Sequence, residues 1–488
     1  MTGKLCALAL ALGLVAIGAT SASAAGLDRH VLLISIDGMH ALDYQNCVAA
    51  DICPTLKALG QHGVHYTRTS TSRPSDSFPG LMAIVTGGTP KTVGAYYDVA
   101  YDRVLAPPVN KTGNGVLGGT CTPGVANGTR TEYEEGIDID QTKLNGGSPL
   151  YTNPIDGGYL SIDPARLPRD PFKGCSPVYP WNFIRANTIF GVIHGAGGYT
   201  AWADKHAAYS AVSGPTATGK PSNVDDYYAP DINSNVVALP GIVAASGFDC
   251  STAPASITGD WTGGFDAVKC NDQLKVNAVV NWIKGRSHLG GSSAPVPNVF
   301  GMNFQAISVG QKLIANGVTG GYTDAAGTPT APMQGEIEYV DAAIGQMVAA
   351  LKVGGLMEST TVIITAKHGQ SPIDTNRFFP IPGHSGNNGK APSVLLGSTY
   401  LPDSEINQIG PTEDDISLLW LKPGADLASA VTVLENGAHA AGIGQIFYGP
   451  SITTMYNAPG VPPNGDSRTP DIIVQPNVGV VYTTSTKK

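Results

Sequence analysis

One short segment near the start of the chain restricts the fold more than any other feature. Residues 31–36 form an uncharged run rich in Val, Leu and Ile, and the run ends on Asp37 and Gly38. A run of this length and composition is typical of a strand buried on both faces of a parallel sheet, and therefore of an α/β fold. Asp37 then lies at the carboxyl end of the strand, where open α/β sheets bind their ligands.

A second apolar run, residues 361–366, ends in the same manner on Lys367 and His368. Both runs are interpreted as buried strands of one sheet. Because parallel strands bring their carboxyl ends to the same edge, we expect Asp37, Lys367 and His368 to lie close together.

The rest of the chain alternates between helix and strand patterns. Residues 333–353 give the clearest helix, with apolar residues repeating on one face, and they lead directly into the run at 361–366. This alternation predicts a mostly parallel sheet with helices on both faces. Other predicted elements are strands at 65–70 and near 472 and 480, helices at 53–60, 77–87, 272–284 and 425–441, an apolar run at 296–304, and renewed alternation from 188–193.

Residues 95–180 interrupt the alternation. Gly, Pro, Asn and Thr dominate there, periodicity is poor, and the stretch contains Cys121 and Cys175. We interpret it as a loop-rich insert within one catalytic domain, residues 25–488, and not as a separate domain. The insert is expected to cover or shape the site.

The first 24 residues are interpreted as a signal peptide, because Lys4 precedes an apolar stretch and residues 22–24 are Ala-Ser-Ala. The protein is therefore expected to be exported, either to a periplasm or into the medium. Six cysteines follow, and an even number in an oxidising compartment indicates disulfides. Several pairings are possible, and sequence proximity favours Cys47–Cys53, Cys121–Cys175 and Cys250–Cys270.

The charge of the chain excludes one class of partner. A net charge of −9, without any cluster of Lys and Arg, argues against binding of nucleic acid. Beyond the leader, no stretch reaches the about 18 apolar residues that a transmembrane helix requires, so no stable membrane anchor is expected. The sequence leaves the oligomeric state open.

Ser77 opens a predicted helix and is the candidate nucleophile. A helix N-terminus carries partial positive charge, which suits an alkoxide or a phosphate group. A serine hydroxyl also needs a metal ion, a cation or a base before it can attack. The alternative for each candidate is structural: Ser77 as a helix cap, Asp37 as a loop cap, and His368 as an ordinary histidine with no ligand.

Asp37-Gly38, followed by Ser77-Phe78-Pro79 at the head of a helix that ends at 84–87, resembles the type I phosphodiesterase/nucleotide pyrophosphatase branch of the alkaline phosphatase superfamily. The resemblance is strongest over 31–103 and looser afterwards. It implies an alkaline-phosphatase-like three-layer α/β sandwich and a small phosphorylated substrate. It also implies that Asp37 binds a metal and that Ser77 is a metal-activated nucleophile, which forms a covalent phospho-enzyme intermediate.

The departures from the family pattern fall mainly on the metal ligands. Lys367 stands where the family has an Asp before its His, and Gln305 and Val309 stand where it has Asp and His. Gly80 stands where an Asn contacts phosphate. A final His-Gly motif is expected after the predicted strand near 472 and is not in the sequence, so either the sequence is truncated or that ligand is missing. The candidate metal residues are Asp37, Gln305 and His368.

The leading hypothesis is an exported hydrolase of phosphate mono- or diesters with an altered metal site. Ser77 is its nucleophile, and Lys367 directs a positive charge toward the phosphate. The expected cofactor is a divalent metal, Zn²⁺ in the first place, with one ion or none favoured over two.

The alternative is a catalytically impaired member of the same fold that binds an anion or a partner. Hydrolysis of sulfate esters ranks third, since the Cys/Ser-x-Pro-x-Arg context of sulfatases is absent. His206 and His384 lie in polar segments, for which a surface position is favoured over the site.

Overall fold

The computed structural model describes residues 28–134, 136–137, 158–234, 239–251, 260–370, 373–383 and 389–485. The predicted signal peptide and His384 lie outside the described residues. Among the helices of the described part, none is long and apolar enough to cross a membrane.

A five-stranded sheet forms the centre of the described structure. Its strands, in chain order, are β1 (His30–Ile36), β2 (Thr200–Ala203), β3 (Asp226–Tyr228), β4 (Val299–Phe304) and β5 (Thr360–Thr365). They lie side by side in the order β5-β1-β4-β2-β3, and each neighbouring pair is parallel. All five carboxyl ends therefore meet at one edge of the sheet.

Helices pack against both faces of this sheet. One face is covered by α1 (Ser77–Thr86) and α2 (Ile189–Gly195), and the other by α3 (Phe265–Ile283), α4 (Ala306–Lys312) and α5 (Ala331–Val353). In β1, Leu33 packs with the first group, whereas Leu32 and Ile34 pack with the second. Successive side chains of a strand point to opposite faces, so β1 is buried on both. The structure confirms the predicted three-layer α/β sandwich.

Two predicted strands differ from what the structure shows. β5 is an edge strand that pairs with β1 alone, none of its residues is fully buried, and Ile363 is 43% exposed. Residues 65–70, predicted as a strand, form turns and loop with exposed side chains. The alternation that was expected from 188–193 resumes with the helix α2, and the strand β2 follows it.

A second, antiparallel sheet lies in the C-terminal part of the chain. Its strands are Thr412–Glu413, Ser417–Leu419, Ile472–Pro476 and Ile443–Tyr448, in that spatial order. The other α-helices are Ala41–Ala49, Pro54–His62, Pro90–Val93, Pro180–Phe183, Pro392–Tyr400, Asp403–Ile406, Leu427–Gly437 and Pro450–Met455. The other strands are Val99–Asp102, Thr129–Glu132, Arg169–Asp170, Ser176–Pro177, Ile314–Ala315, Val318–Thr319, Phe379–Ile381 and Val480–Tyr482.

Three disulfides join the favoured cysteine pairs, Cys47–Cys53, Cys121–Cys175 and Cys250–Cys270. The second of them spans 54 positions of the predicted insert. A cross-link over a loop of that length removes much of the conformational freedom of the unfolded chain. The described part of the insert, which consists of short strands, short helical turns and loops, is therefore anchored covalently.

Candidate active site

Four strands of the central sheet end at one group of polar side chains. Asp37 follows β1, Gln305 follows β4, Asp204 and Lys205 follow β2, and Lys367 and His368 lie just beyond β5. Because the strands are parallel and adjacent, residues far apart in sequence reach the same place.

Ser77 is the residue on which these side chains converge. It is the first residue of α1, directly after the N-cap Asp76, and it is 3% exposed. Its Oγ lies 3.0 Å from Nε2 of His368, 3.3 Å from Oδ2 of Asp37 and 3.4 Å from Nζ of Lys205. The hydroxyl thus contacts groups that can accept its proton and a cation that can stabilise its oxygen.

Asp37 is buried and contacts two further polar groups. Gln305 donates an amide N–H to Oδ2 over 2.5 Å, and Nε2 of His368 lies 2.8 Å from Oδ1. Burial alone would raise the pKa of Asp37. The nearby positive charges, that of His368 first, outweigh burial and hold the pKa well below its usual value. Asp37 is therefore ionised at neutral pH.

The ring of His368 is held between two acceptors. Nδ1 lies 2.5 Å from the carbonyl oxygen of Gly369, and Nε2 faces the carboxylate of Asp37. Burial alone would lower the pKa of His368, but the charge of Asp37 outweighs it and raises the pKa. The protonated ring satisfies both acceptors, and the neutral ring keeps the Nδ1 proton and offers Nε2 to Ser77.

Lys367 lies beside the group and not in its centre. Its Nζ is 3.3 Å from Oδ1 of Asp204 and 3.8 Å from the centre of the Tyr209 ring, and the side chains of the ion pair are fully buried. Lys367 is absent from the residues that line the cavity beside Ser77. The ammonium in contact with the hydroxyl is that of Lys205.

Lys205 and His206 are the residues that sequence reasoning missed. Lys205 also forms an ion pair with Glu134, which comes from the predicted insert. His206 is 1% exposed, lines the cavity and contacts Asp231 over 3.0 Å, so its favoured surface position was wrong. The sequence held one signal, because the Lys-His pair at residues 205–206 repeats the Lys-His pair at residues 367–368.

Three carboxylates crowd together next to Ser77. Oxygens of Asp76, Asp98 and Glu134 lie within 4.8 Å of one another. Burial and the charge of Glu134 raise the pKa of Asp76 to about 6. Burial would also raise the pKa of Glu134, but the charge of Lys205 outweighs it and lowers the pKa to about 2. Glu134 is thus the ionised partner that holds Lys205.

A cavity of about 610 Å³ opens above Ser77. This volume suits a small molecule. Polar side chains from several loops and from the insert line the cavity: Ser75, Asp76, Tyr97, Asp98, Glu134, Lys205, His206, Asn233, Asp260, Thr262, Gln305, Ser308, Lys312, His368, Gln370, Asp414 and Asp415.

Gly80 allows α1 to approach the segment after β5. A Cβ at Gly80 would lie 2.3 Å from the carbonyl oxygen of Lys367 and 2.9 Å from its carbonyl carbon. Both are backbone atoms, which cannot turn aside as the end of a flexible side chain can. The close approach leaves no room for a larger side chain at this position.

Replacing Gly80 with alanine is expected to lower the free energy of unfolding by about 1–3 kcal/mol, because the added methyl group forces the two segments apart. Activity should fall as well, since Ser77 and His368 separate. Gly195→Ala is the matched control, because a Cβ there meets nothing within 4 Å. Urea unfolding of both variants checks this, and an unchanged Gly80→Ala protein would contradict the close approach.

The side chains at Ser77 do not fit a zinc site with the ligands of the family pattern. Asp37 and His368 could each supply one ligand atom, but Gln305 donates its N–H to Asp37, and Val309 presents an apolar wall. The ammonium of Lys205 lies 3.4 Å from Ser77 Oγ and 3.7 Å from Asp37 Oδ2. Of the ligands in the family pattern, one carboxylate and one imidazole remain, beside a positive charge, and these do not make a zinc site of normal ligation. The carboxylates of Asp76, Asp98 and Glu134 lie close enough together to hold a cation, but Glu134 is ion-paired with Lys205.

Comparison with known proteins identifies a family. The sequence model of the family described as "Type I phosphodiesterase / nucleotide pyrophosphatase" matches residues 31–127 and 225–488. The two matched segments cover well over half of the chain and include Asp37, Ser77, Gln305 and His368. No curated protein matches the chain.

Solved structures resemble the chain at low identity. Phosphonoacetate hydrolase from Sinorhizobium meliloti 1021, in complex with phosphonoformate, is 13% identical with a TM-score of 0.47, over 94% of this chain and 83% of that one. Wild-type alkaline phosphatase PafA is 11% identical with a TM-score of 0.49, over 94% of this chain and 86% of that one. Likenesses of this size carry no argument about function.

Proposed function

We propose that this chain, which belongs to the type I phosphodiesterase / nucleotide pyrophosphatase family, hydrolyses phosphate mono- or diesters with Ser77 as its nucleophile. Family membership supports hydrolysis of phosphoesters in general. The proposal adds the residues that perform it and the covalent intermediate.

The contacts of the Ser77 hydroxyl carry the proposal. Its oxygen lies 3.0 Å from an imidazole nitrogen and 3.4 Å from an ammonium, at the start of α1 and beside the cavity. The partial positive charge of a helix N-terminus adds to that of the lysine. A purely structural serine cap would need none of these charged neighbours.

In the proposed first step, Ser77 Oγ forms a bond to phosphorus while the bond from phosphorus to the leaving oxygen breaks. Nε2 of His368 takes the hydroxyl proton and passes it to the leaving oxygen. In the second step a water molecule gives a proton to His368 and attacks phosphorus. Ser77 leaves and regains the proton, so the enzyme returns to its starting state.

Asp37 orients both partners in this scheme. It accepts the Ser77 hydrogen bond before reaction and stabilises the imidazolium that forms on His368. Lys367 acts at longer range, because its buried charge helps to keep Asp37 ionised. Lys367 was predicted to face the phosphate; its proposed role is instead to stabilise the ionised form of Asp37.

A second candidate function is binding without turnover. It is favoured by the charges around Ser77, where Lys205, Lys367 and His368 face the carboxylates of Asp37, Glu134 and Asp204. Such a site has little surplus positive charge to stabilise a phosphoryl transition state. It would then hold a small anion or a partner.

Export is part of the proposal. Three disulfides support it, because such bonds persist in oxidising compartments.

The cavity size supports a small phosphorylated substrate, and the net charge of −9 disfavours nucleic acid.

Assays of the purified protein with p-nitrophenyl phosphate and bis(p-nitrophenyl) phosphate test the proposed function. Each substrate is offered with and without added Zn²⁺ or Mn²⁺, and hydrolysis of at least one is expected. Absence of hydrolysis under all conditions, together with measurable binding of inorganic phosphate, would contradict the enzyme and support the binding protein.

A further inference from the structure

Lys205 occupies a place that the family pattern does not provide for. Members of this family are typically metal-dependent hydrolases, yet here an ammonium contacts the candidate nucleophile directly. The Lys205 side chain is 10% exposed, and its Nζ lies 3.7 Å from Asp37 Oδ2. The positive charge beside Ser77 Oγ is therefore supplied by a side chain of the protein itself.

One ion pair and the anchoring of its loop keep this ammonium in place. Glu134 forms an ion pair with Lys205, and the low pKa of Glu134 keeps that partner ionised over the physiological range. Lys205 also lies in the middle of the loop at residues 204–206, just beyond β2, and the ion pairs of Asp204 and His206 fix this loop on either side. The charge is therefore preorganised, which is what electrostatic stabilisation of a transition state requires.

A divalent metal and Lys205 would compete for the same atoms. A metal ion activating Ser77 would bind its Oγ and the carboxylate of Asp37, and both of these atoms already lie within 3.7 Å of Nζ. Like charges at such separations repel strongly in a buried site. Lys367, in the position of an expected carboxylate ligand, adds a second ammonium nearby.

We infer that Lys205 is a catalytic residue that replaces the metal ion at Ser77, so that phosphoester hydrolysis by this chain needs no divalent cation. This inference rests on the proposed function. As His368 takes the proton from Ser77, the N–H of Lys205 stabilises the negative charge that develops on Oγ. The ammonium also lies where an oxygen of the phosphoryl group meets it during attack.

Metal depletion gives the first arm of the test. The protein is dialysed against EDTA, its metal content is measured, and hydrolysis is assayed before and after addition of Zn²⁺ or Mn²⁺. We expect the metal-free protein to keep its kcat/KM within about twofold. Activity that is lost on depletion and restored by metal would overturn the inference and leave the proposed function intact.

The second arm removes the ammonium. Lys205→Met keeps the length of the side chain and is expected to lower kcat/KM of the metal-free protein by about 10²-fold to 10³-fold. Lys269→Met is the control, because Lys269 is also a buried, ion-paired lysine and its partners are Asp266 and Glu336. The control should retain its activity, and equal activities of the two variants would overturn the inference.

Binding of inorganic phosphate, measured by titration calorimetry in metal-free buffer, gives a readout that does not depend on turnover. Wild type is expected to bind phosphate about tenfold or more tightly than Lys205→Met. Equal affinities, or binding by wild type only after Zn²⁺ is added, would overturn the inference. A protein that hydrolyses no substrate with or without metal overturns the proposed function, and the inference with it.

Discussion

Replacing Ser77 with alanine is expected to lower kcat/KM by about 10⁴-fold or more, because the attacking oxygen is removed. The residual rate would come from water attacking a substrate that the pocket still holds. Steady-state assays on p-nitrophenyl esters measure the effect.

The fold should survive this change. The cap of α1 is the side chain of Asp76, so alanine at position 77 keeps the helix start. His368 and Lys205 still contact Asp37 in the variant. Ser72→Ala, a change to the same residue in the preceding loop, is the matched control and should retain activity. A Ser77→Ala protein as active as wild type would exclude this serine as the nucleophile.

His368→Ala is expected to have the second largest effect, a loss of about 10²-fold to 10⁴-fold in kcat/KM, because the base that takes the Ser77 proton is gone. The pH profile gives a sharper readout than the rate alone. The neutral ring is the form that accepts a proton, and Asp37 raises the pKa of His368 above its usual 6.5. Activity of wild type should therefore fall as the pH drops through a value above 6.5.

That fall in activity at low pH should be absent from the residual activity of His368→Ala. His194→Ala is the control, since His194 contacts Asp225, is 38% exposed and lies away from the cavity lining. The control is expected to keep the wild-type pH profile. A profile of kcat/KM that is unchanged in His368→Ala would mean that another group takes the proton.

The sequence predicted those parts of the site that follow long, strongly patterned strands. The run at 31–36 has enough Val, Leu and Ile to identify a buried strand, and Asp37 at its end lies in the site. Ser77 was identified because a helix start with Pro79 just inside it has a recognisable local signal. For the strand that ends at Asp37 and for the helix that begins at Ser77, the local sequence favours the same element that the fold contains.

The side chains supplied by β2 could not be found in that way. The strand consists of Thr200–Ala203 with the sequence Thr-Ala-Trp-Ala, which is short and low in β-branched residues. The apolar residues just before it, from 188 to 193, belong largely to α2, whose cap is Thr188. Periodicity alone does not separate such a short run from a strand. Lys205 and His206 therefore looked like part of an ordinary polar loop, and no strand pattern before them indicated that they belong to the site.

Lys367 shows a second limit of sequence reasoning. Its position in the chain was found correctly, next to His368 and at the end of β5. The direction of its side chain depends on Asp204 and Tyr209, which come from a different part of the sequence. Only the packed structure brings these partners together, and it places Lys205 at Ser77 instead.

Glu134 could not be predicted as a site residue for the same reason. It lies in the predicted insert, where Gly and Pro leave no periodic pattern to locate a side chain. Its role depends entirely on the ion pair with Lys205. Contacts of this kind join segments that no local pattern connects.

Detection of a phosphoryl group on Ser77 shows most directly whether this serine is the nucleophile. Metal-depleted wild type is mixed with excess substrate, quenched in acid, digested and analysed by mass spectrometry. We expect phosphoserine at position 77 in the wild type and none in Ser77→Ala. Turnover by the metal-free wild type without any phosphorylated Ser77, or phosphorylation at a different residue, would contradict this role of Ser77.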